Sequence, residues 1–191
     1  MSDPRVLFVT GEYPPLPGGV SDYTANLRLA LAAMGFRTAV LSSRGASGED
    51  VWTLRRWGWP SVGRVLRLAR RERADIVHIQ YQAGAFAMHP ALNLLPSIVS
   101  RRLPIVTTFH DLRTPYLFPK AGRLRKAAIV RMALGSDAVI VTNPADARAI
   151  EATVRGSFPS LRRLEMRNAD LCRAELLVEI EGIADLSLLR T

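Results

Sequence analysis

Three groupings of residues in this 191-residue chain could do chemistry. Gly18-Gly19 stands just ahead of an amphipathic run and of Ser21, a residue type that caps helices. Backbone N–H groups at a helix N-terminus attract anions, and residues without side chains let a phosphate approach closely. His110-Asp111 follows the apolar run that starts at Ile105. An imidazole there can donate to a hydroxyl or a phosphate, or accept from a hydroxyl. The third grouping is the set of polar residues that end other apolar runs: Ser42-Ser43-Arg44, Gln80-Tyr81-Gln82 and Thr142-Asn143. A bland reading stands beside each: a loop that only needs a positive φ, an imidazole bonded to a carbonyl, ordinary strand ends. His78, inside Ile76-Val-His-Ile-Gln80, reads as a core histidine. His89, before Pro90, carries no functional claim.

The elements that must position these residues alternate along the chain. Arg5–Thr10 is a short apolar, β-branched run, read as a strand buried on both faces. A Pro- and Gly-rich loop from Gly11 to Gly19 follows. Tyr23, Leu27, Ala30, Leu31 and Met34 then fall at helical spacing behind an expected Ser21 cap, and Gly35 stops the helix. Thr38–Ser42 is a second strand, and a short one is expected around Val51–Leu54. Ser61–Arg73 reads as a helix with Val62, Val65, Leu66 and Ala69 on one face and arginines on the other. Strand Ile76–Gln80, a helix within Pro90–Ser100, strand Ile105–Phe109, helix Gly122–Leu134 and strand Ala138–Thr142 complete the alternation. Pro144 opens a further helix to about Val154. Short apolar strands joined by helices imply a doubly wound α/β domain, with a parallel sheet, right-handed crossovers and helices on both faces. Ligands in such sheets bind beyond the carboxyl ends of the strands. All the polar groupings above are placed at that edge.

Composition bounds the function. The chain is 48% apolar, enough for one domain with a proper core. The single Cys172 excludes an internal disulfide framework and a Cys-based zinc cluster, and three histidines leave little for a His-only metal site. Neither a metal nor a cofactor is expected. The weakly polar stretch Ala85–Ser100 is too short and too broken to span a bilayer, and the N-terminus does not read as a signal peptide. A cytoplasmic location is the default expectation. The net charge is +9, with only Lys120 and Lys126 as lysines. Seven arginines against Glu72 alone lie between Trp52 and Arg73, whereas Glu165–Thr191 is acidic. A basic body suits polyanionic partners such as nucleotide phosphates or anionic head groups. Trp52, Trp57 and Trp59 beside Arg55 and Arg56 suit either a membrane surface or a loop packed on the sheet. The aromatic interleaving of an RNA-reading sheet is missing, so no nucleic acid is expected. The glycine loop is neither G-x-G-x-x-G nor G-x-x-x-x-G-K-[ST], which counts against dinucleotide oxidoreductases and P-loop NTPases.

Val6-Leu-Phe-Val-Thr-Gly-Glu-Tyr-Pro-Pro-Leu-Pro-Gly-Gly-Val20, then Asp75-Ile-Val-His-Ile-Gln-Tyr81, then Val106-Thr-Thr-Phe-His-Asp111, with Asp137-Ala-Val-Ile-Val-Thr142 following, carry a resemblance. Taken in this order and spacing, they resemble the N-terminal domain of family 4 glycosyltransferases of the GT-B fold, over about residues 5 to 155. The resemblance implies a Rossmann-like domain, residues 1–155, that mainly binds the acceptor. Transfer would run with retention, without a metal, from a nucleotide-diphosphate sugar to a glycan or lipid-linked acceptor. It further implies that Gly18 and Gly19 approach the donor phosphates, that His110 contacts the transferring sugar, and that Asp111 supports the same turn. Gln80, Tyr81, Thr142 and Asn143 would line the cleft.

The family's second, donor-binding domain carries an E-x₇-E-type motif, and no two glutamates after Glu151 stand eight apart here. Residues 156–191 read instead as an acidic, helical tail. Without the donor half the leaving diphosphate lacks its main electrostatic support, so the chain alone is expected to be nearly inactive. A separate chain could supply that half, or the open edge could self-associate. The alternative from another class is a non-catalytic module of the same fold. It would dock on a partner or an anionic membrane, peripheral to the inner face, through its arginines.

Overall fold

The computed structural model describes residues 3–100, 102–111, 122–142, 148 and 151–152, with backbone alone at 111 and 122–126. The elements are β1 (Arg5–Thr10), α1 (Gly19–Ala33), β2 (Arg37–Ser43), β3 (Val51–Leu54), α2 (Trp59–Arg71), β4 (Ile76–Gln82), α3 (Pro90–Val99), β5 (Ile105–Asp111), α4 (Gly122–Gly135) and β6 (Ala138–Val141). All six strands pair in parallel, in the order β3-β2-β1-β4-β5-β6. The order reverses between β1 and β4, and that is the topological switch point.

Period-two alternation divides the strand residues between two faces. Leu7, Val9, Val77, Ile79, Tyr81, Ile105, Phe109, Val139 and Val141 join Val65, Leu68, Leu92, Leu95, Val99 and Met132 from α2, α3 and α4 in the larger core. Val6, Phe8 and Val40 form a smaller core, packed by Ala25, Leu27 and Leu31 of α1. Continuous apolar runs are what strands covered on both faces require. The arginines of α2 (Arg64, Arg67, Arg70 and Arg71) are exposed.

Two helix starts differ from expectation. Helix α1 begins at Gly19 with Gly18 as its N-cap, so Ser21 does not cap it and is instead fully buried in the first turn. Helix α2 begins at Trp59 with Gly58 as N-cap, and Ser61 reaches back to accept from the Gly58 N–H at 3.0 Å. In both, glycine takes the extended cap position and the serine falls three residues into the helix. Two of the three tryptophans pack inward. Trp57 is buried and donates to Ser43 Oγ at 2.8 Å, and Trp52 packs on the larger core beneath the Arg71 guanidinium. The expected helix after Pro144 lies mostly outside the described residues, as does the whole of 156–191.

Candidate functional site

In an all-parallel sheet every strand ends on the same edge. Register puts Thr10 of β1 beside Gln80 of β4, Gln80 beside Thr108 of β5, and Thr108 beside Ile140 of β6. Beyond that level Phe109 faces Tyr81 and Asp111 faces Gln82, so His110 is an extra residue on β5. A bulge of this kind re-aims a side chain. His110 lies half-buried against β4 and α1. Its Nε2 is 2.6 Å from Gln80 Oε1, and its ring meets Tyr23 of α1 edge-on, with centroids 4.8 Å apart. Thr142 Oγ1 makes long contacts of 3.5 Å to the carbonyls of Phe109 and His110. Tyr23 stands one turn into the helix that Gly18-Gly19 opens. The glycine bend and the imidazole therefore meet at one edge, at the switch point.

Gly18 sits at φ 155, a conformation that favours glycine, and a Cβ there would collide with the Glu12 carboxylate. Thr10 Oγ1 holds that turn by donating to the Glu12 carbonyl at 2.8 Å. A methyl group at Gly11 would strike the backbone of Ala85, so the loops after β1 and β4 touch only because residue 11 has no side chain. No side chain caps α1. Its first N–H groups and its dipole form the kind of site that attracts a phosphate, with the Glu12 carboxylate alongside as an opposing charge. Arg28 braces the proline loop from behind, donating to Tyr13 OH at 2.8 Å and to Thr38 Oγ1 at 2.9 Å.

A polar ladder underlies His110 on the α1 side of the sheet. His78 Nε2 lies 2.8 Å from Thr108 Oγ1, and its ring stacks on Phe8. Burial, and then the nearby charge of His110, lowers the His78 pKa to about 3. This fits the core histidine expected from sequence. Gln80 is wholly buried, and its Nε2 has no hydrogen-bond partner, nor does Ser21 Oγ.

The structure brings Gly18, Gly19, Gln80, His110 and Thr142 together, but not Tyr81. That ring faces the larger core, accepts from Asn93 Nδ2 at 2.9 Å and packs on Phe86 and Phe109. Gln80 supports the imidazole from below instead of presenting itself at the edge. The backbone of Asp111 pairs with Gln82, and Asn143 lies outside the described residues. Sequence reasoning missed Tyr23, Glu12 and the ladder. The signal for the ladder was present: His78 and Gln80, like Thr108 and His110, are two apart and so share a face.

Cavities occur elsewhere. One of about 330 Å³ is lined by Ser97, Ile98, Arg102 and Arg131, and one of about 50 Å³ lies at the opposite strand edge by Arg5 and Arg37. Among the described residues no three His, Cys, Asp or Glu side chains gather as a metal-binding group, and no helix is long and apolar enough to cross a membrane.

A parallel sheet in this order, with polar strand tips gathered at its switch point, defines a Rossmann-like α/β domain, the fold of GT-B glycosyltransferases. The sequence profile of Glycosyltransferase Family 4 matches residues 17–156, and the chain belongs to that family. Solved structures share the fold. An α-glucosyltransferase in complex with UDP and a 13-mer DNA containing an HMU base matches at TM-score 0.53 and 13% identity, over 85% of this chain and 42% of its own. An α-glucosyltransferase with UDP-glucose and DNA containing an abasic site matches at 0.52 and 13%, over 84% and 41%. An α-glucosyltransferase with UDP matches at 0.50 and 13%, over 90% and 42%. The chain thus spans about two fifths of the length of these neighbours. No curated protein matches it.

Proposed function

We propose that residues 1–155 form the acceptor-side half of a retaining glycosyltransferase, moving a sugar from a nucleotide-diphosphate donor to a glycan or lipid-linked acceptor. The observation that carries this reading is the convergence of the α1 N-terminus and His110, joined through Tyr23, at the switch point of the sheet. Backbone N–H groups at Gly18-Gly19 approach the donor diphosphate, where helix dipole and close access both favour negative charge. His110 contacts the transferring sugar, and Asp111 supports the same turn. Gln80 supports the imidazole from β4, Thr142, just past β6, leans on the backbone at His110, and Asn143 borders the cleft. No metal takes part, so the leaving diphosphate depends on fixed charges. Most of these come from a donor-binding half outside these 191 residues, in a longer or a separate chain. The site works on the cytoplasmic side. A fold shared at 13% identity carries no acceptor with it, so the DNA named for the neighbours does not enter this proposal.

A second reading rests on the exposed arginines of α2 and on Trp59, which is 55% exposed at its start. It makes the domain a module that docks on an anionic membrane or a protein partner. Sugar transfer separates the two. The chain joined to a donor domain of its family is expected to transfer sugar from a nucleotide-sugar donor, and the 191 residues alone to be nearly inactive. Salt-sensitive liposome binding with no transfer by the joined protein would favour the docking module.

A further inference from the structure

We infer that Gln80 is the positioning residue of His110, fixing the imidazole as its Nε2–H tautomer and setting the plane of the ring. This rests on the reading that places His110 at the ligand edge. Oε1 of the Gln80 side chain can only accept, so at 2.6 Å the hydrogen of the contact belongs to His110 Nε2. Gln80 is fully buried in the middle of the sheet, between β1 and β5, where its own rotation is restricted. Tyr23 of α1 closes the ring from another side, and Thr142, just past β6, leans on the His110 backbone. The imidazole is the extra residue of a bulge, so strand pairing does not orient it. The amide does.

Two-bond ¹⁵N–¹H spectra of the imidazoles in the 191-residue chain, recorded without any sugar, test this. Wild type is expected to show His110 in the Nε2–H form, with exchange of that proton slowed. Gln80→Met, close in volume but without the acceptor, is expected to lose the fixed tautomer and give a mixture, with the amide spectrum otherwise kept. An Nδ1–H ring in the wild type, the pattern of a reversed amide, would overturn the proposal. So would a Gln80→Met spectrum in which the His110 signals do not change. Should Gln80→Met fail to fold, the wild-type tautomer and its exchange rate still decide the matter. No transfer enters this experiment, so its failure leaves the glycosyltransferase reading intact, and a failure of transfer leaves the tautomer intact.

Discussion

His78 is held neutral beneath the site, stacked on Phe8 and bonded to Thr108, with its pKa lowered from 6.5 to about 3. An unfolded chain binds a proton at this residue near pH 6.5, and the folded one does not until near pH 3. The stability it contributes is therefore fully present above 6.5 and is lost as the pH falls towards 3, by at most about 1.4 kcal/mol per pH unit. Urea unfolding at pH 7 and pH 5 should show a steeper fall for the wild type than for His78→Gln. Equal slopes would mean that the ring is solvated. At this scale the sequence was partly legible. Gly18 and His110 were identifiable because their types are rare at the tip of a strand and suit a ligand. Gln80 and Tyr81 were grouped together although adjacent strand residues face opposite ways. Both faces of this strand are buried, so burial alone does not separate the ligand-edge side chains from those of the core.

Elements were placed more readily than their ends. All six strands stand where the sequence places them, the inner ones because burial on both faces demands continuous apolar runs, and the short Val51–Leu54 as an edge strand with only Leu54 buried. Helix α1 begins two residues before the serine expected to cap it, and α2 two residues before its expected start at Ser61, because glycine fills the cap position in both. The bulge at His110 had no sequence signature. Helix α2 ends in a Schellman-type turn, with the Ala74 N–H on the Ala69 carbonyl at 2.8 Å and Arg73 at φ 50. A residue with a Cβ is strained there. Arg73→Gly should stabilise the protein by about 0.5–1 kcal/mol, a Tm rise of a few degrees. An unchanged or lower Tm would show that the Arg73 side chain contributes more than the turn costs.

At the scale of the whole molecule, strand order decides where chemistry can occur. The reversal between β1 and β4 opens a gap above the sheet, and α1 on one side and β5 on the other supply the glycine bend and the imidazole. The class of fold was legible from the alternation of strands and helices, and the family from four short segments in order. The strand order was not, because parallel crossovers of similar length permit several arrangements. The central claim is that sugar transfer takes place at this edge and uses His110. Its most direct measurement is kcat/KM for sugar transfer by the chain joined to a family 4 donor domain, comparing wild type, His110→Ala and, as a control on the far side, Arg102→Ala. His110→Ala is expected to lower kcat/KM by about a hundredfold or more and Arg102→Ala to leave it unchanged. A joined enzyme that keeps its full rate after His110→Ala would contradict it.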